Sequence, residues 1–126
     1  MATKATTTGA LKAGVRDAAL DPWPIPAEQV LEGDPQASGL LLWKSDDSTL
    51  ANGIWECTPG LFTWVHVDET LCLVDGKVTV TPEGGEPLEI RPGDIAFFPE
   101  GMKTEWRVEE TVRKAFHLHS AAGLPF

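Results

Sequence analysis

Tyrosine is absent from this 126-residue chain, and cysteine occurs only twice, as Cys57 and Cys72. No C-x-x-C or comparable partner spacing surrounds either one, which argues against a disulfide framework or a thiol redox centre. Both fall in predicted strands and are expected as buried, reduced thiols. Basic residues are scarce. Ten Lys and Arg face nineteen Asp and Glu, a net charge of −9. Phosphates would be repelled over most of such a surface, so nucleic acid and anionic membrane are not expected partners. No apolar run approaches the ~20 residues of a membrane span. The opening stretch MATKATTTGALKAG lacks the apolar core of a secretory signal, and a cytoplasmic location is expected. Residues 1–14 are mostly small and polar, and are expected to be mobile. There is no G-x-x-x-x-G-K-[ST] phosphate loop, no strand–G-x-G-x-x-G–helix unit and no G-x-S-x-G elbow.

What is present is a chain of one-domain size with ordinary globular composition, 42% apolar and 23% charged. Residues 1–36 read as a flexible start followed by a docking arm. The run Asp21-Pro22-Trp23-Pro24-Ile25-Pro26 is too proline-rich to be helical and carries Trp23 and Ile25 as anchors. One short helical turn is expected near Ala27–Leu31. From residue 37 to 126 the pattern changes to strand-length runs. These are Gly39–Lys44, Gly53–Cys57, Leu61–Val67, Leu71–Val74, Lys77–Thr81, Leu88–Ile90, Ile95–Phe98, Lys103–Val108 and Val112–His119. Turn signals separate them: Asp46-Asp47-Ser48, Thr58-Pro59-Gly60, Asp75-Gly76, Glu83-Gly84-Gly85 and Arg91-Pro92-Gly93-Asp94. Short strands at this spacing, without an amphipathic helix, predict an antiparallel sandwich or barrel. Four of the five tryptophans lie in these strands.

The most informative stretch is Gly93 to Trp106, GDIAFFPEGMKTEW. Its G-D-x4-P-x-G spacing resembles the second motif of the cupin superfamily of small β-barrels. Gly53–Trp64, the acid–apolar–Gly run Asp68–Gly76, and Trp106–Lys114 resemble the single-domain cupins of ureidoglycine-aminohydrolase-like or ethanolamine-utilisation-like type. The likeness extends over roughly residues 25–118. It implies a cupin, jelly-roll-type antiparallel β-barrel with an extended N-terminal arm. The usual cupin metal site is implied only in outline. Glu69 and Gly76 fit the spacing of the first motif's glutamate and turn glycine. The family's two histidine positions before that glutamate hold Phe62 and Trp64, and the histidine position of the second motif holds Thr104. Phe and Trp cannot coordinate a divalent ion, so neither a metal nor another cofactor is expected.

Strand alternation then assigns faces. Phe62, Trp64 and His66 share the barrel interior with Thr104, Trp106 and Val108. In the last run Val112, Lys114, Phe116 and Leu118 point inward, while His117 and His119 point out. The candidate ligand-binding residues are therefore Phe62, Trp64, His66, Thr104 and Trp106, with Glu69 and Lys114 as candidate catalytic groups. An ammonium on an apolar strand face needs a partner such as Glu69, Glu56 or a ligand carboxylate. Three functions stay open at this point. The first is a small-molecule-binding barrel, which could itself act as a metal-independent enzyme on a small nitrogen-containing or carboxylate metabolite. The second is a metal-dependent, aminohydrolase-like cupin with substitute ligands, and the third a non-catalytic accessory cupin packed shut. A homodimer is expected, because sheet edges and apolar outer faces need cover.

Overall fold

The computed structural model describes residues 9–126. It is a curled, entirely antiparallel sheet of nine strands. In chain order these are β1 (Asp21–Pro22), β2 (Val30–Gly33), β3 (Ala37–Lys44), β4 (Leu50–Cys57) and β5 (Gly60–Val65). They continue with β6 (Asp68–Pro82), β7 (Leu88–Ile90), β8 (Ile95–Phe98) and β9 (Lys103–His119). One 3-10 turn at Ala27–Gln29 is the helical element among the described residues, inside the span expected for it. Residues 1–8 of the predicted mobile start lie outside the described residues. From Gly9 onward the chain crosses the protein surface, and Arg113 ties it there by donating to the carbonyls of Val15 and Ala18.

Two long strands form the spine. β9 pairs with β5 through its first half, with β4 through its second half, and with β6 along nearly its whole length. This arrangement revises two sequence expectations. Leu71–Val74 and Lys77–Thr81 are not separate strands around an Asp75-Gly76 turn, and Lys103–Val108 and Val112–His119 are likewise continuous. Each half pairs with the same opposing strand, so the punctuation becomes irregular pairing between Leu73 and Val78 rather than a reversal. Gly76 makes this possible. Its φ is +87°, and a Cβ there would stand 2.1 Å from the Thr111 carbonyl oxygen.

The arm joins the same sheet, β1 on β3 and β2 on β5. Trp23 and Ile25 pack against the core from outside it. That core is built from the inward residues of both spine strands and their neighbours. Phe62, Leu71, Leu73, Val78, Val80, Phe98, Trp106 and Val112 are all essentially inaccessible to solvent. Parity also corrects the expectation for cysteine. Cys57 is buried, and burial pushes its thiol up to about 12. Cys72 is exposed, because it falls on the outer face opposite Ile95. Among the described residues, no helix is long and apolar enough to cross a membrane.

Candidate functional site

The curl of the sheet leaves a cavity between its inner face, the arm and the residues after β9. Its volume is about 90 Å³, measured at the centres of a water-sized sphere. One water needs about 10–15 Å³ on that scale, so there is space for a small molecule. The wall is almost wholly apolar. Trp55, Phe62, Trp64, Trp106, Phe116 and Leu118 come from the strands. Trp23 comes from the arm, and Pro125 and Phe126 from the last residues of the chain. Among the described residues, Glu69 and Lys114 are the two charged side chains that line it.

Each of these positions follows from strand register. Lys114 lies directly opposite Trp55 on β4 and Leu73 on β6, so it must share their inward face. Phe62 faces Trp106 across β5 and β9, and Trp64 faces Thr104. The result is an aromatic box. Phe62 and Trp106 stack at 6.2 Å, and Trp55 meets Trp106 edge-on at 5.8 Å. The Lys114 ammonium sits in this box, 4.6 Å from the ring centres of both Trp55 and Trp106. Such cation–π contacts gain strength where water is excluded. Its Nζ donates to Glu69 Oε2 at 2.6 Å, and the two side chains are 7% and 5% exposed. Burial by itself would raise the Glu69 pKa. The Lys114 ammonium, followed by the ring of His66, outweighs burial and holds it at about 2 instead of an ordinary 4.5.

His66 and Thr104 take a different place from the one expected of ligand-contacting residues. Both are buried, and neither lines the cavity. His66 stacks on Phe98 at 4.5 Å, and its Nε2 lies 3.0 Å from Thr104 Oγ1 and accepts from the Trp106 indole at 3.4 Å. The Thr104 hydroxyl donates to the Trp64 carbonyl. His66 Nδ1 is 3.3 Å from Glu69 Oε1, an electrostatic contact in which the ring nitrogen makes no hydrogen bond among the described residues. These two residues brace Glu69, Trp64 and Trp106 from behind. Of the seven candidates, the structure therefore brings Phe62, Trp64, Glu69, Trp106 and Lys114 to one cavity and sets His66 and Thr104 in the layer beneath.

Four aromatic lining residues, Trp23, Trp55, Phe116 and Phe126, lie outside the site expected from sequence. Trp55 had a usable signal, since it is separated by two from Cys57 and Gly53 on an alternating strand that must pair somewhere. Phe116 is expected on the inward face of the last strand run, but nothing local gives it a role. Trp23 and Phe126 approach from opposite ends of the chain and meet edge-on at 5.2 Å, a contact no local pattern reports.

The donor set does not fit a metal ion. Phe62, Trp64 and Thr104 stand at the ligand positions, and Glu69 is already bonded to an ammonium. Among the described residues, no cluster of three or more His, Cys, Asp or Glu is placed to hold one. His117 and His119 are exposed on the outer face, with His119 Nδ1 3.2 Å from Asp68.

This architecture is shared with known proteins. A protein of unknown function from Pseudomonas syringae pv. tomato superposes with a TM-score of 0.74 at 29% identity, covering 82% of this chain and 45% of that one. The EutQ protein of Clostridium difficile gives a TM-score of 0.60 at 22% identity over 68% of this chain and 63% of its own, a likeness of fold. Among curated sequences, the acetate kinase EutQ of Salmonella typhimurium is 30% identical over 83 residues, 64% of this chain. This chain spans only 36% of that relative's length. The EutQ-like cupin domain model matches residues 44–116, more than half of the sequence, and the chain belongs to that family of cupin barrels.

Proposed function

We propose that this cupin is a small-molecule-binding barrel whose ligand lies against Trp64 and Trp106, over the Glu69–Lys114 pair. The observation that carries the reading is the cavity itself. It is aromatic-walled and open to a small molecule, with two buried polar groups converging on one side. A barrel packed shut as a structural accessory would need neither the space nor the buried ion pair. Acid–base catalysis by Glu69 is less well supported. A general base works best with a pKa near the working pH, and a carboxylate held at about 2 is a poor proton acceptor at neutrality. The phosphoryl chemistry named for the Salmonella relative is not extended to this chain, because among the described residues the one lysine of the cavity wall is already paired and offers a polyphosphate no free counter-charge. Thermal-shift and equilibrium-dialysis measurements against small nitrogen-containing and carboxylate metabolites test the reading. Binding should occur in the wild type and vanish in Val67→Trp, which fills a half-buried position on the cavity wall. Binding that survives that substitution would place the ligand elsewhere.

We further infer a homodimer that covers β8. This strand pairs only with β6 among the described residues, and it presents Ile95 (76% exposed) and Phe97 (57% exposed) to solvent. Light scattering should give a dimer mass for the wild type and a monomer mass for Phe97→Lys. A monomeric wild type would refute the inference.

A further inference from the structure

Resting on that reading of the cavity, a narrower conclusion about its ligand follows from charge balance. The two charged side chains in the wall are bonded to each other at 2.6 Å and are almost fully buried. Together they are neutral. A carboxylate ligand would leave one net negative charge in a space walled by tryptophan and phenylalanine. An ammonium ligand would leave one net positive charge there, and would also meet an aromatic box already occupied by Lys114 Nζ, 4.6 Å from two indole rings. Either uncompensated charge carries a desolvation penalty that the remaining apolar wall cannot offset. A neutral molecule avoids that penalty. The polar end that suits an ammonium beside a carboxylate is one that accepts from the first and donates to the second.

We propose that the cavity selects a neutral ligand with a compact apolar body and a single donor–acceptor head, of the alcohol or primary-amide class, and discriminates against both anions and cations of the same shape. The ion pair is then a specificity device: Lys114 supplies the donor, Glu69 the acceptor, and their mutual neutrality rejects charge.

The test uses four probes of nearly one shape: isobutyramide, isobutanol, isobutyrate and isobutylammonium. Each is titrated into the full-length protein at pH 7 and followed by tryptophan fluorescence. Isobutyramide and isobutanol should bind at least about tenfold more tightly than the two ions. Tighter or equal binding of isobutyrate or isobutylammonium would overturn neutrality as the rule while leaving a ligand cavity in place. A saturable response from none of the four would remove the cavity reading and this inference with it. Two variants invert the balance. Lys114→Met leaves Glu69 without its counter-charge while methionine takes up much of the lysine's place between the indoles, so preference should pass to isobutylammonium. Glu69→Gln leaves a lone ammonium, so preference should pass to isobutyrate. Glu69→Gln preserves size, so it carries the test if Lys114→Met fails to fold. An unchanged neutral preference in Glu69→Gln would refute the role given to charge.

Discussion

Replacing Lys114 by methionine isolates the energetics of the buried pair. Methionine fills much of the lysine's volume and keeps the apolar contact with Trp55 and Trp106, so packing changes little. What is lost is the ammonium 2.6 Å from Glu69. Two independent magnitudes converge. Breaking a buried ion pair by removing one partner costs about 3–5 kcal/mol. Separately, a carboxyl held at about 2 instead of 4.5 contributes about 3 kcal/mol at neutral pH, at 1.36 kcal/mol per unit. The sign matters as much as the size. Glu69 has a depressed folded pKa, so in the wild type its contribution is complete above pH 4.5 and is lost as pH falls from there toward 2. In Lys114→Met burial dominates, His66 is the remaining polar neighbour, and the carboxyl pKa rises. The variant therefore gains stability as acid protonates Glu69. The gap between the two proteins should be about 3 kcal/mol or more at pH 7 and should narrow steadily toward pH 4.5. Urea unfolding followed by tryptophan fluorescence measures both quantities, and Lys114→Glu should be worse than Lys114→Met because it sets two carboxylates together. A gap below about 1 kcal/mol at pH 7, a value more typical of an exposed pair, would refute the reasoning. So would a gap that widens in acid.

Further outcomes follow from other parts of the barrel. Gly76→Ala should cost at least about 2 kcal/mol in urea unfolding, because the new Cβ meets the Thr111 carbonyl and φ is positive; wild-type stability would show that the β6 irregularity is dispensable. Cys72 should react with a thiol reagent in the native state while Cys57 stays protected until unfolding; equal rates would contradict the assigned faces. Protein purified without chelators should contain no stoichiometric transition metal by elemental analysis, and one full equivalent of Mn, Fe, Ni or Zn would restore a metal-dependent reading.

The fold was legible because its punctuation is chemical. Gly93-Asp94, Pro99-Glu100-Gly101 and the runs between them impose turn, strand, turn, strand, and Leu88–Ile90 and Ile95–Phe98 match β7 and β8 residue for residue. Parity likewise put Lys114 inside, and the cost of a lone buried charge pointed to Glu69 as one partner. Local reading failed where the cause is remote. Asp75-Gly76 looks like a reversal, yet the strand runs on because β9 runs alongside it. His66 shares a face with Phe62 and Trp64, but Phe98 and Trp106 close over it, which leaves it a brace behind the cavity. Trp23 and Phe126 reach the cavity wall only because the arm and the chain's last residues pack together over it.

The most direct test of the cavity as the ligand site uses the five indole N–H resonances of the folded protein. Trp23, Trp55, Trp64 and Trp106 line the cavity, and Trp43 does not, so the chain contains its own control. Titration with isobutyramide should shift the Trp55, Trp64 and Trp106 signals along one common binding curve while Trp43 stays still. Signals that move no more than Trp43, or a response confined to Trp43, would contradict the cavity as the place where this protein binds its ligand.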